Sequence, residues 1–159
     1  MKERTILTVE EALKRLMKIC SLKEMCSYDL RKKMKLWDIN DSNQDIILKK
    51  LAEDKFFSDE RYAEAFINDK LKFQKWGKVK IKYSLRSKQI PERIIDNLME
   101  KKEDKQYIEK LEELLVKKKN SLKSVMSVQE KKARLFRYAS GKGFESEVIY
   151  EVMNKIIHD

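Results

Sequence analysis

The sequence predicts an all-α fold of three tandem three-helix repeats forming an elongated, curved array. Three observations carry this. Turn formers are scarce, with 3 Gly and 1 Pro in 159 residues, whereas an all-β chain needs many tight turns. Apolar residues recur along most of the chain at the i, i+3, i+4, i+7 spacing of one helix face. The same hydrophobic spacing then returns in three successive rounds.

The first helix carries Val9, Ala12, Leu13, Leu16, Met17 and Cys20 on one face. Thr8 with Glu11 forms a capping box, in which the hydroxyl accepts from an early amide and the carboxylate reaches back. Ser27 predicts the cap of a second helix bearing Leu30 and Met34. Asp41 or Ser42 opens a third, with Ile46, Ile47 and Leu51. The pattern restarts at Ser58, a natural N-cap, with Asp59 and Glu60 in the first turn where the helix dipole favours anions. Ala63, Phe66, Ile67 and Leu71 continue that helix, and Trp76-Gly77 interrupts it. A helix from about Lys78 bears Ile81 and Leu85. Pro91 suits the first position of the next helix, whose face is Ile94, Ile95, Leu98 and Met99. In the third round Tyr107, Ile108, Leu111, Leu114 and Leu115 fit a helix ending near Asn120 and Ser121. Ser127 with Glu130 is a second capping box, ahead of Leu135 and Ala139. Gly141 and Gly143 punctuate the chain before Val148, Ile149, Val152, Met153 and Ile156.

The rounds align residue by residue. Leu30, Ile81 and Leu135 correspond, then Met34, Leu85 and Ala139 four residues on, then Ile39, Ile90 and Phe144 five further. Past the next loop Ile47, Ile95 and Ile149 correspond, as do Leu51, Met99 and Met153, with three extra residues near Asp41 in the first round. The repeats are expected at 8–56, 57–102 and 103–159. Lys78 to Leu85 alternates polar and apolar residues like a strand. A helix is preferred because no turn dipeptide flanks a partner strand, and because the stretch lies opposite two helical segments of the other rounds. As a helix it also sets Ile81 and Leu85 on one side.

Composition points to binding rather than catalysis. Apolar residues are 42 % and charged residues 40 % of the chain, so each helix has a wide wet face. The net charge of +10 suits a polyanion or an acidic protein surface. No apolar run approaches the roughly 18 residues of a membrane span and no leader is visible, so a cytoplasmic protein without membrane contact is expected. Cys20 and Cys26 lack metal-site spacing and suit interior positions in a reducing compartment. The one histidine, His158, has no partner for acid–base or nucleophilic work. Glu10-Glu11 and Glu112-Glu113 lie beside lysines on wet helix faces. No catalytic residue, cofactor or metal is implied.

The basic residues are more informative. Between Lys70 and Arg93 the only acid is Glu92. On a helix Lys78, Lys82 and Arg86 form one stripe at i, i+4, i+8, a self-repelling arrangement that a polyanion would neutralise. Lys80 and Lys88 add charge. Trp76 is placed to stack on bases, whereas Phe73 is at least as readily a core residue. In the first round Arg31 and Lys35 match Lys82 and Arg86, with Lys32 beside them. In the third, Phe136 and Ser140 take those places, and Arg134, Arg137 and Lys142 lie elsewhere. These residues are the expected contacts to single- and double-stranded DNA through phosphates, which releases counterions without reading bases.

Three stretches carry a family likeness. Phe57-Ser58-Asp59-Glu60-Arg61-Tyr62-Ala63-Glu64-Ala65-Phe66, Gly77 leading into Lys78–Leu85 with Ser87-Lys88-Gln89-Ile90, and Gly141-Lys142-Gly143-Phe144 before Val148-Ile149 resemble the RecX family of bacterial RecA regulators. The N-terminal round, with Ala12-Leu13 and Leu30-Arg31-Lys32-Lys33, is similar more loosely. Gln89 stands where that family has Gly, and Leu36-Trp37-Asp38-Ile39 replaces a Lys-Gly loop. The resemblance implies tandem three-helix repeats and a monomeric cytoplasmic protein lodged in the groove of RecA–DNA filaments. It also implies modulation, usually inhibition, of recombination and of the SOS coprotease activity. A stand-alone basic DNA-binding protein without RecA contact is the alternative.

Overall fold

A computed structural model describes residues 6–102 and 104–158. Among them lie nine helices and no strand: α1 Val9–Leu22, α2 Ser27–Leu36, α3 Asp41–Glu53, α4 Asp59–Lys72, α5 Lys78–Ser87, α6 Glu92–Glu100, α7 Asp104–Ser121, α8 Val128–Gly141 and α9 Ser146–Ile156. The alternating stretch of the middle round is thus helical. None of these helices is long and apolar enough to cross a membrane. The chain divides into two compact units, Met1–Ala65 with Lys88–Ile90, and Phe66–Ser87 with Pro91–Asp159.

In the first unit α1 and α2 pack on α3 around Leu16, Leu30, Met34, Ile47 and Leu51. The Thr8–Glu11 capping box forms as expected. The start of α2 does not. Ser27 is its first residue, Cys26 holds the N-cap position, and neither side chain caps the helix. The cap comes from Asp59, whose carboxylate accepts from the Ser27 amide and the Ser27 hydroxyl, both at 2.8 Å. A carboxylate at a helix N-terminus gains from the dipole as well as from the hydrogen bond, so it displaces the weaker hydroxyl cap. At α3 the cap is Asn40, accepting from the Asn43 amide at 2.8 Å, and not Asp41 or Ser42. Ile46 is 57 % exposed because Gln44, Ile47, Leu48 and Leu51 take the inner face. Burial pushes the Cys26 thiol up to about 11, so it stays protonated at neutral pH. Lys88 belongs to this unit: its Nζ lies 2.6 Å from Asp29 of α2 and 5.6 Å from the Tyr28 ring centroid.

In the second unit α7, α8 and α9 enclose Leu111, Leu115, Leu135, Ile149 and Val152, with Leu71 of α4 against the same cluster. The Ser127–Glu130 capping box forms. Pro91 is the N-cap of α6, one position ahead of its expected place. Gly77 meets the α8–α9 loop. Its amide donates to Lys142 O at 2.8 Å, the Val79 amide to Gly143 O at 2.9 Å, and the Lys78 amide to the Tyr107 hydroxyl at 2.9 Å. Three of the four amides left over at a helix N-terminus are thereby satisfied from outside the helix. A Cβ on Gly77 would lie 2.2 Å from Gly143 C, and one on Gly143 would lie 2.2 Å from Lys80 Cβ.

The repeat holds at the level of burial. Leu30, Ile81 and Leu135 are all 0 % exposed, and the other four aligned sets are 9 % exposed or less. It holds in the backbone too. Asp38, Gln89 and Gly143, each just before the third aligned position, have φ of 56°, 58° and 93°. Ile39 N donates to Met34 O at 3.0 Å and Phe144 N to Ala139 O at 3.2 Å, the six-to-one bond of a Schellman ending. The left-handed residue that ends the helix therefore persists where Asp38 and Gln89 replace glycine.

Two predictions follow from these contacts. Gly77→Ala and Gly143→Ala each lose about 1–3 kcal/mol of stability by overpacking, with added left-handed strain at Gly143. Gly141→Ala, whose Cβ meets nothing within 4 Å, is neutral or stabilising by up to about 1 kcal/mol. Urea melts followed by helical circular dichroism separate the two classes, and equal losses at all three glycines would refute the crossing. The hydrogen bond to Asp29 holds the Lys88 ammonium above its ordinary range, against the opposing effect of burial. A raised folded-state value means the pair's contribution is complete below the unfolded-state lysine value of about 10.4 and is lost as pH climbs through the folded one. A Lys88→Met, Asp29→Asn double-mutant cycle is expected to show about 1 kcal/mol of coupling at pH 7, shrinking in alkali. Coupling that grows above pH about 10.4 would contradict the assignment.

Candidate functional site

Helix α5 carries the densest net positive charge of the second unit, with bases and no acid. Ile81 and Leu85 are fully buried, which turns Val79 (52 % exposed) and Tyr83 (73 %) outward. Arg86 is exposed one turn beyond Tyr83, and Lys80 and Lys82 are half-buried between the two faces. Phe73, after the end of α4, is 72 % exposed and so is not a core residue. Tyr83 and Phe73 add two exposed rings to the basic stretch. The position of Tyr83, two residues from Ile81 on a helix, already turned it away from the buried face.

Trp76 is not an open stacking surface. Its ring meets Phe66 edge-on at 6.2 Å. Two ammonium groups lie by it, Lys80 Nζ at 4.2 Å and Lys70 Nζ at 4.7 Å from the ring centroid. A cation near an indole face gains about 0.5–1 kcal/mol at exposed sites, so the tryptophan gathers charge. Lys142 Nζ reaches Gln74 O at 3.4 Å. The crossing of the two loops thus brings Trp76, Lys70, Lys80 and Lys142 together, and Lys70 joins the residues marked by sequence.

Several of the marked cations already have partners. Lys78 Nζ is 3.0 Å from Asp104 and 4.6 Å from the Tyr107 ring centroid, leaving its side chain 18 % exposed. Tyr107 donates to Glu145 Oε1 at 2.7 Å and stacks on Phe144 at 5.2 Å, and burial raises its phenol above the ordinary range. Arg86 holds Glu92 through Nε and Nη2. That hydrogen bond keeps the Glu92 carboxyl below, and the guanidinium above, their usual ranges. Lys88 is bound to Asp29. The expected stripe of Lys78, Lys82 and Arg86 therefore has both ends occupied. Its middle member Lys82, and Lys80 beside it, have no ion pair among the described residues.

In the first unit Arg31 pairs with Asp45 at 2.7 Å. Lys32 and Lys35 are exposed, and Lys35 shares a shallow depression with Arg15 and Trp37. In the second unit Arg134 and Arg137 are exposed on α8 without an ion pair among the described residues. No group of three His, Cys, Asp or Glu side chains among those residues is arranged to hold a metal ion.

Comparison with known proteins matches this geometry. Residues 58–99 match the model of the RecX second three-helix domain, and residues 104–153 that of the third. The regulatory protein RecX of Clostridium acetobutylicum is 32 % identical over 134 residues, 82 % of this chain and 62 % of the relative. That of Clostridium tetani is 33 % identical over 115 residues, 68 % of this chain and 50 % of the relative. That of Acinetobacter baylyi is 25 % identical, over 84 % of this chain and 80 % of the relative. The chain thus spans between half and two thirds of the length of these clostridial relatives. The crystal structure of RecX from Lactobacillus salivarius superposes with a TM-score of 0.83 at 22 % identity, covering 93 % of this chain and 96 % of that one. A second, of regulatory protein RecX, gives 0.83 at 24 % identity, over 92 % and 73 %. These two share the fold. The two matched domains are those whose loops cross at Gly77 and Gly143, and by them the chain belongs to the RecX family.

Proposed function

We propose that this protein regulates RecA recombinase, without catalysis of its own, by binding RecA–DNA filaments and lowering recombination and SOS coprotease activity. The observation that carries the reading is the outer surface of α5. Lys80 and Lys82 have no ion pair among the described residues, and Tyr83 and Val79 are exposed beside them. Membership of a family whose relatives are named regulatory protein RecX supports it. Ammonium groups serve phosphates by counterion release, and an exposed ring serves either an unstacked base or an apolar patch of protein. Lys32, Lys35, Arg134, Arg137 and Lys142 extend the basic surface within their own units. The protein acts as a monomer in the cytoplasm, its repeats at 8–56, 57–102 and 103–159 presenting different side chains on one frame.

Substoichiometric protein is expected to lower the DNA-dependent ATP hydrolysis of RecA on single-stranded DNA. Hydrolysis and strand exchange that stay unchanged at excess protein would sink the proposal. Binding of naked DNA equal to that of filaments would favour a stand-alone DNA-binding protein. Lys80→Gln with Lys82→Gln should lower the salt slope of filament binding by about one per lysine and lower the melting midpoint by no more than about 2–4 °C, from the lost contact of Lys80 with Trp76. Tyr83→Ala should weaken binding by about 1–3 kcal/mol if its ring stacks on a base. Affinities untouched by all three changes would move the contact away from α5.

A further inference from the structure

We infer that the groove between α8 and α9 is a protein-docking site for a segment that presents one aromatic or aliphatic anchor flanked by carboxylates. This goes beyond the proposal above and does not depend on RecA being a partner. The groove holds about 850 Å³ and is walled by Ala133, Phe136, Gly141, Tyr150 and Met153. The rings of Phe136 and Tyr150 stack at 5.2 Å, and Tyr150 remains 54 % exposed. A concave surface with two rings at its wall suits a buried anchor.

The repeat shows what is special about it. The matching groove beside α5 and α6 is lined by Lys78, Lys82, Asp96, Met99 and Glu100, with Lys102 and Asp104 from the chain that follows α6. In the alignment Phe136 stands at Lys82, Tyr150 at Asp96 and Asn154 at Glu100, while the buried frame beneath is kept. The third repeat has lost the two aligned acids, Asp96 and Glu100, and gained two stacked rings. Of the bases, Lys132 stands at Lys78, Lys82 is lost to Phe136, and Arg137, at the place of Tyr83, is new to the wall; Arg134 is exposed on the same helix. A wall stripped of acids and edged by cations complements carboxylates beside an apolar anchor.

That charge pattern also selects against other occupants. A second copy of this chain brings a net charge of +10 to a basic edge. A nucleobase could use only the one outer face that each paired ring keeps, and competition by an oligonucleotide separates that case. The floor is open at Gly141, where an added Cβ meets nothing within 4 Å. A larger side chain there fills the groove without disturbing the core.

The test is selection of displayed random 16-residue peptides against the full chain. Selected peptides are expected to carry a Phe, Trp or Leu flanked by Asp or Glu. Their fluorescence-anisotropy affinity should fall by about tenfold or more in Tyr150→Ala and in Gly141→Leu, and should weaken with salt. Gly141→Leu keeps the variant test valid if Tyr150→Ala loosens the fold. Failure to enrich any peptide, enrichment of peptides without acids, or affinities indifferent to both substitutions would overturn the inference. So would a twenty-residue oligothymidylate that competes for the groove, or sedimentation showing that Gly141→Leu dissolves a dimer of the chain.

Discussion

Two backbones meet at Gly77 and Gly143 without room for a side chain on either, and the second unit depends on that contact. A helix N-terminus buried against protein must have its free amides met by something other than water. Here the α8–α9 loop supplies two carbonyls and Tyr107 a hydroxyl. These bonds fix where α5 starts, and its buried pair Ile81 and Leu85 fixes its rotation. With start and rotation set, Tyr83 and Val79 can only face outward. The same crossing places Lys142 beside the loop that carries Trp76. The glycines are thus structural in themselves and functional through what they aim.

The electrostatics follow from how little a surface ion pair is worth. The chain carries +10, yet Lys78, Arg86, Lys88 and Arg31 each hold an acid. Exposed pairs contribute about 0–1 kcal/mol and are screened by salt. Arg86 and Glu92 are each about half exposed, so a phosphate can take the place of the carboxylate at small cost. Lys78 is different. Its ammonium is largely covered, over the Tyr107 ring, and it helps to seat α5. The cations near α5 therefore divide into one that builds the helix's seat, one that can exchange partners, and two, Lys80 and Lys82, without an ion pair among the described residues.

What sequence could reveal tracks how local the physics is. Both capping boxes, four residues long, were legible, and so was the repeat, because burial follows helical period. The cap of α2 was not, since Asp59 lies 32 residues from Ser27. Nor were the partners of Lys78 and Lys88, 26 and 59 residues away. A stripe of bases written along one helix says nothing of acids brought to it by folding. The left-handed turns at Asp38 and Gln89 were hidden for a different reason. Such a residue costs about 1–2 kcal/mol outside glycine, and at Asp38 a six-to-one bond and a buried following residue absorb that cost. Of the three aligned left-handed positions, only Gly143, with Lys80 against it, requires glycine.

The three copies share a frame and differ in what they lay over it, and that difference separates constraint from opportunity. Positions under the frame carry only apolar side chains, whether of one size, as at Leu30, Ile81 and Leu135, or of several, as at Met34, Leu85 and Ala139. Positions on the α5–α6 wall and its counterparts carry no such limit. There Lys82 is matched by Arg31 in one copy and Phe136 in another, and Asp96 by Tyr150. Phe136 is half-buried against the core of the second unit, and its stack on Tyr150 contributes to the fold. Tyr150, still 54 % exposed where the sister copy has Asp96, is the ring that a contact outside the chain would cover.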